Sequence, residues 1–258
     1  MDELAARQFV ELERTHWWFE GRRRVFFDLL ARALARRPPR RTLDVGCGAG
    51  GMLGELSRFG VPAGLEISRE LLAVARGRGF TRLFVGSAER LPVRDGSLDL
   101  VTAFDCIEHL DDDAAALSGA FDALAPGGHL FVSVPAWQFL YAENDRVSMH
   151  RRRYRRGVLA AKLRAAGFEV VKSSYVNAWL FPLIVPAVLL LKLRQRLFKD
   201  RGAAPETNLS WRPPRALNAL LAAIFSSERF LLRRTSFPLG HSLIALARRP
   251  PPRDVATH

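Results

Sequence analysis

The sequence predicts an α/β fold, a mostly parallel sheet covered by helices on both faces. Two observations carry that prediction. Between residues 41 and 134, short apolar runs of strand length alternate with segments of helical period, and parallel neighbours need such helical crossovers. The first strand-like run also ends in a glycine-rich turn that opens a helix, the local arrangement of a ligand site at the carboxyl edge of such a sheet. The 258 residues are 48% hydrophobic and 25% charged, an ordinary globular composition that excludes a disordered, collagen-like or disulfide-stapled chain.

Taken in order, helical periodicity covers 3–14 and 22–36, the second segment ending at Arg36-Arg37-Pro38-Pro39, a stop followed by a turn. Strands are expected over 41–45, 62–66, 82–85, 98–104 and 129–134, with helices over 50–59, 69–76 and 112–124. A helix over 158–166 leads through Gly167 to a strand over 168–172, and the last strand covers 242–247. This pattern divides the chain into an N-terminal helical lid at 1–39, a ligand-binding core at 40–173, a helical insertion at 174–237, a final core strand within 238–249 and a tail at 250–258.

The first strand runs through Asp44-Val45-Gly46-Cys47-Gly48-Ala49-Gly50-Gly51. Glycines there let a ligand approach the backbone, and the helix N-terminus offers N–H groups to an anionic part of it. Gly46, Gly48 and Gly51 also satisfy the dinucleotide pattern G-x-G-x-x-G. Asp44 decides between the readings: a carboxylate two residues before the first glycine suits a ligand carrying an ammonium group and would repel a pyrophosphate. Glu66, closing the second strand 20 residues beyond Gly46, is placed to accept both hydroxyls of a ribose.

With the later runs Gly86-Ser87-Ala88-Glu89, Asp95-Gly96-Ser97-Leu98-Asp99 and Leu124-Ala125-Pro126-Gly127-Gly128, the chain resembles the class I S-adenosylmethionine-dependent methyltransferases. The likeness is to their small-molecule branch, which includes quinone-biosynthesis enzymes. It covers about 40–172 and resumes at 238–249. The resemblance implies a Rossmann-like seven-stranded sheet whose last strand is antiparallel, and S-adenosyl-L-methionine as cofactor. It assigns Asp44, Gly46, Gly48 and Gly50 to the methionine-binding turn, Glu66 to the ribose, and Ser87, Ala88 and Glu89 to the adenine loop. Phe104 and Asp105 fall beside the methionine end. Position 87 is usually Asp in the family; Ser87 accepts a hydrogen bond more weakly.

A hydroxyl or carbon acid acceptor must also lose a proton, and His109, His150 and His16 are candidate bases. Asp105, Glu108 and His109 resemble the E-x-x-E-H cluster that holds a divalent cation in some O-methyltransferases. They would share one face if the segment is helical, although no fourth ligand is identifiable. His150-Arg151-Arg152-Arg153-Tyr154-Arg155-Arg156 is either a solvated basic face or a substrate grip in which Arg153 holds an anion and Tyr154 faces the acceptor. His16 and Trp18, within His16-Trp17-Trp18, resemble the family's N-terminal lid and substrate contact, with core anchoring as the alternative.

Net charge is +13, from 39 Lys+Arg against 26 Asp+Glu. Residues 1–150 hold 18 basic and 21 acidic side chains, whereas 151–258 hold 21 and 5. Within the basic part, residues 178–191 are uninterruptedly apolar and are followed by Lys192, Arg194, Arg196, Lys199 and Arg201. As a helix, that apolar run reaches roughly 21 Å against a hydrocarbon core of about 30 Å. It suits an in-plane anchor on an anionic membrane, a pocket cap or a dimer interface. Nucleic acid is the weaker explanation, because no RNA-binding module or [DN]-P-P-[YFW] loop is present.

With two cysteines, no C-x-x-C spacing and no apolar core after Met1, the chain reads as cytoplasmic, docking peripherally on the membrane's inner face. The expected activity is methyl transfer to a lipophilic, anionic or lipid-linked small molecule, O-methylation favoured over C-methylation. An RNA methyltransferase or a non-catalytic cofactor-binding protein stand as alternatives.

Overall fold

The computed structural model describes residues 10–198 and 211–251. Of the expected helix over 3–14, residues 10–12 are described and helical. Lys199, Arg201 and most of the 250–258 tail lie outside the described residues. The chain divides into two compact units, one of Met1–Arg37, Val134–Arg156 and Ser174–Ile244, the other of Pro38–Ser133, Gly157–Ser173 and Ala245–His258. The segments expected as lid and insertion thus fall in one unit together with Val134–Arg156.

Seven strands form a single sheet of order β3-β2-β1-β4-β5-β7-β6: β1 (Arg41–Val45), β2 (Val61–Glu66), β3 (Leu83–Val85), β4 (Leu98–Phe104), β5 (Leu124–Pro135), β6 (Glu169–Val176) and β7 (Ser242–Arg248). The last strand is antiparallel, so the sheet is mixed. β1 pairs in parallel with both β2 and β4, Leu43 lying opposite Ala63 on one side and Val101 on the other. Strand order therefore reverses between β1 and β4, where open α/β sheets bind ligands beyond their carboxyl ends. Leu43, Val45, Leu100, Val101, Leu130 and Phe131 are buried, as expected of strands covered on both faces, whose sequences read as continuous apolar runs.

In the second unit the crossovers are α2 (Leu53–Leu56), α3 (Arg69–Gly77), α4 (Asp113–Ala123) and α6 (Arg156–Ala165), whose first residue belongs to the first unit. The helix expected over 50–59 is shorter, a single turn followed by the 3-10 segment Ser57–Phe59. Gly50 has φ +84°, a left-handed conformation that ends the glycine turn rather than starting a helix. Ser68 and Asp112 cap α3 and α4 by accepting the N–H of Leu71 and Ala115. β5 begins five residues earlier than expected because Leu124 pairs with Leu98, the register shifting before His129 meets Leu100.

The first unit is built around two packed helices, α1 (Trp17–Leu34) and α8 (Arg215–Leu232). α1 starts five residues before the expected 22, because His16 caps it through Nδ1, which accepts the Trp18 N–H. The two helices pack face to face at Gly21, where an added Cβ would overlap the Phe225 ring. Asn218 accepts from Trp17 N at 2.8 Å and donates to the Thr15 carbonyl at 2.9 Å, and Arg233 pairs with Asp28 through two bonds. α5 (Glu143–Val147) and α7 (Phe181–Phe198) belong to the same unit. Among the described residues, no helix is long and apolar enough to cross a membrane.

Candidate active site

At the carboxyl end of β1, Asp44 is only 2% exposed and its Oδ1 accepts the Thr102 hydroxyl at 2.7 Å. Burial pushes the Asp44 carboxyl up to about 7; the Thr102 bond pulls it down and the nearby Glu66 charge adds to the rise. With a single neutral side-chain donor, Thr102, among the described residues, this carboxylate is poised to gain from a cationic ligand.

The turn is tied to β2 where the Gly46 and Cys47 N–H groups both donate to the Leu65 carbonyl, at 2.8 and 3.0 Å. Gly46 (φ +72°) has no room for a side chain, since a Cβ would lie 2.6 Å from Cys106 Sγ. Gly48 (φ +54°) differs: a Cβ there would meet nothing within 4 Å. One glycine is required by the protein's own packing, the other borders open space that a ligand can use.

Glu66 ends β2 with its carboxylate steered by backbone. Oε2 accepts the Gly48 N–H at 3.0 Å and Oε1 the Ser68 N–H at 2.9 Å, leaving a lone pair on each oxygen for two hydroxyls. A nucleoside ligand with an ammonium group fits this donor and acceptor set.

The Ser87-Ala88-Glu89 segment is internally stapled. Ser87 Oγ accepts the Glu89 N–H at 3.2 Å, Ala88 is buried, and Glu89 Oε1 accepts the Asp112 N–H at 2.9 Å. Phe104 closes β4 against Phe131, ring centroids 5.5 Å apart. Asp105 follows in the left-handed region (φ +47°), its N–H donating to the Ser133 carbonyl and its Oδ1 accepting the Ser133 hydroxyl at 3.1 Å. The shared helical face for Asp105, Glu108 and His109 is therefore not formed: only Ile107–His109 is helical, as one 3-10 turn, and Asp105 lies outside it. Glu108 is fully buried and His109 half-buried.

In the first unit, Arg151, Arg155 and Arg156 are exposed, as on a solvated basic face, whereas Arg153 turns inward to one carboxylate that sequence reasoning missed. Asp145 is fully buried. Arg153 clasps it with Nε and Nη2, at 2.8 and 2.9 Å, while Arg153 Nη1 donates to the Ala136 carbonyl. Burial alone would raise the Asp145 carboxyl, but hydrogen bonds from His150 and Arg153 win and hold it at about 2. Arg153 is thus a structural cation rather than a substrate grip, its guanidinium committed to the chain itself. Tyr154 is 2% exposed, a core residue whose backbone bridges Ala136. His16 is buried as the α1 cap, its ring pushed toward the neutral form by burial, against a bond to the Trp211 backbone. Trp18 is half-buried and packs edge-on against Phe19 and under the Arg22 guanidinium, 4.2 Å from its ring centroid.

His150 Nδ1 lies 2.8 Å from Asp145 Oδ1. An ionised carboxylate only accepts, so Nδ1 carries the proton and Nε2 is the basic nitrogen. An imidazole oriented in this way can act as a general base. The signal for Asp145 was partial: it is the sole acidic residue between Glu143 and Glu169, six residues before a run of five arginines interrupted by one tyrosine.

Residues 18–173 match the family model described as a methyltransferase domain. A protein of Mycolicibacterium smegmatis named as a probable S-adenosylmethionine-dependent methyltransferase is 32% identical over 171 residues, covering 64% of each chain. The ubiquinone biosynthesis O-methyltransferase of Marinobacter nauticus is 34% identical over 104 residues, 36% of this chain and 43% of that one. In fold, a SAM-dependent methyltransferase of Thermotoga maritima superposes with a TM-score of 0.57 at 20% identity, covering 94% of this chain and 98% of the other. The chain spans 61–64% of the length of the curated relatives it matches over most of its own. With the matched domain covering more than half of the chain and the glycine turn, Asp44 and Glu66 disposed as described, the chain belongs to the class I S-adenosylmethionine-dependent methyltransferase family.

Proposed function

We propose that this protein transfers a methyl group from S-adenosylmethionine to an oxygen of a lipophilic or anionic small molecule. The single observation carrying the cofactor half is the cradle at the carboxyl ends of β1 and β2, a buried carboxylate, an open glycine and a backbone-steered carboxylate in series. Asp44 would hold the amino group of the donor, Gly48 would allow its approach, and Glu66 would take the ribose hydroxyls. The bound donor supplies an already activated methyl on a sulfonium, so orientation and exclusion of water carry much of the rate.

The acceptor half rests on the dyad. His150, with Nδ1 fixed by Asp145, is suited to remove a hydroxyl proton through Nε2, and His109 is the second candidate. The likeness to ubiquinone biosynthesis O-methyltransferases supports oxygen as the acceptor atom.

Calorimetric titration with S-adenosylhomocysteine and with NAD tests the first half. Binding of the former with no heat from the latter is expected, and the reverse would overturn the assignment. Mass spectrometry of cell extracts incubated with the protein and the methyl donor, searching for a compound gaining one methylene, tests the second. His150→Gln should abolish that gain while leaving S-adenosylhomocysteine affinity unchanged; retained turnover removes His150 from the mechanism.

A further inference from the structure

The helix α7 has an anomaly that the methyl-transfer reading does not use. It runs for 18 residues, yet none of its described side chains is buried. Leu183, Leu190 and Leu197 are 70%, 67% and 67% exposed and recur every seventh residue, so they share one side of the helix. Leu189, Leu191 and Leu193, each about half-exposed, flank that row on both sides. At 100° per residue the exposed leucines span roughly half of the helix circumference. At the foot of α7, Trp179 is 46% exposed, an amphipathic ring of the kind enriched at membrane interfaces.

We infer that α7 docks in the plane of an anionic lipid surface, with its leucine side immersed among the acyl chains and its basic end among the headgroups. Charge complementarity selects this occupant. From residue 170 to 199 the sequence contains no Asp or Glu, and Lys192, Arg194, Arg196 and Lys199 follow the apolar turns. The one carboxylate on α7 or α8 is Glu228. It is fully buried, accepting the N–H groups of Asn177, Ala178 and Trp179 that lead into α7, so nothing acidic on these two helices opposes a negative surface.

The shape of the apolar side argues the same way. A helical partner is read by a narrow row, whereas the apolar side here is wide, contains Pro186 and has the exposed Arg194 in line with Leu183, Leu190 and Leu197. Against a second copy, the arginine would face like charge. At a bilayer its long stem extends toward the headgroups. Anchoring of this kind needs a broad apolar face, modest length and adjacent basic residues, and does not depend on which acceptor the enzyme uses.

Co-sedimentation of the full chain with vesicles of equimolar phosphatidylcholine and phosphatidylglycerol tests the inference, with pure phosphatidylcholine vesicles as the uncharged arm. Binding to the mixed vesicles is expected, weakened by salt. Leu183→Gln, Leu190→Gln and Leu197→Gln combined should reduce partitioning about 100- to 1,000-fold, at about five- to tenfold per leucine, and Arg194→Gln by about fivefold. All four side chains are exposed, so the melting temperature should not move, and an unchanged value certifies that the variants fold. No binding to mixed vesicles, or equal binding by the triple variant, overturns the inference. So does self-association in sedimentation velocity that the triple variant abolishes without any vesicle binding, which would assign the face to a second copy. Salt-sensitive capture of RNA in preference to vesicles would likewise overturn it.

Discussion

Two buried aspartates, one in each unit, have opposite electrostatic fates. Asp44, in the unit of the glycine turn, has the Thr102 hydroxyl against it and is pushed up to about 7. Asp145, in the helical unit, has two arms of Arg153 and the His150 ring against it and is held at about 2. Burial is nearly equal, 2% and 0% exposed, so burial is not what separates them. The lesson is that a carboxylate left underpaired in a well-packed strand end points to a ligand, whereas a fully paired one serves the fold and orients its neighbours.

The largest expected effect comes from breaking the paired one. Asp145→Ala leaves Arg153 buried without its carboxylate and should cost about 3–5 kcal/mol, read as a fall in denaturation midpoint. A midpoint unchanged by that substitution would show that the two aspartates are not so different. Asp44→Asn should do the reverse, causing no loss of stability while weakening S-adenosylhomocysteine binding by about 1.5–3 kcal/mol, roughly 10- to 150-fold; calorimetry distinguishes the two outcomes.

Gly48→Ala sharpens the ligand side further. The left-handed backbone adds about 1–2 kcal/mol of strain but the methyl has room, so a folded variant with impaired cofactor binding is expected. In Gly46→Ala the Cys106 contact should lower stability as well, and a melting temperature equal to that of Gly48→Ala would contradict the packing argument.

A separate effect is in pH. A carboxyl raised to about 7 from 3.8 holds its proton in the folded chain between those values while the unfolded chain has lost it, so its contribution to stability declines as pH rises from about 4 to 7. Glu228, also pushed up to about 7 by burial, against its three backbone bonds, acts in the same direction. Asp145 acts oppositely, its contribution fading as pH falls from about 4 toward 2. Acid titrations of the parent chain and Asp44→Asn should therefore diverge above about pH 4, the variant losing less stability as pH rises. Coincident curves would remove the raised Asp44 carboxyl from the account.

Much of the second unit was legible from residues alone. β4 falls on the expected 98–104 and α4 within a residue of the expected 112–124, since strands buried on both faces write continuous apolar runs and Asp112 marks its helix start. The glycine turn, Asp44 and Glu66 were legible because their spacing is local to two strands and a loop. Less was legible in the first unit. His16-Trp17-Trp18 reads equally as a lid or an anchor until the α1–α8 packing is seen. The arginine run gives no sign of which member turns inward, because a one-dimensional charge count cannot tell a solvated face from a buried pair.

What the sequence by itself determined is the alternation of strand and helix, the cofactor-type turn and the split of charge between a near-neutral half and a strongly basic one. These depend on periodicity, on glycines in left-handed positions and on composition, all properties of neighbouring residues. Only the tertiary structure decided which charges are spent. It commits Arg153 to Asp145, buries Glu228 beneath the root of α7, and leaves the leucines of α7 uncovered. The physical reason is that desolvation and pairing are set by residues far apart in the chain, and the same side chain is a solvated cation, a core strut or a docking contact according to what folds against it.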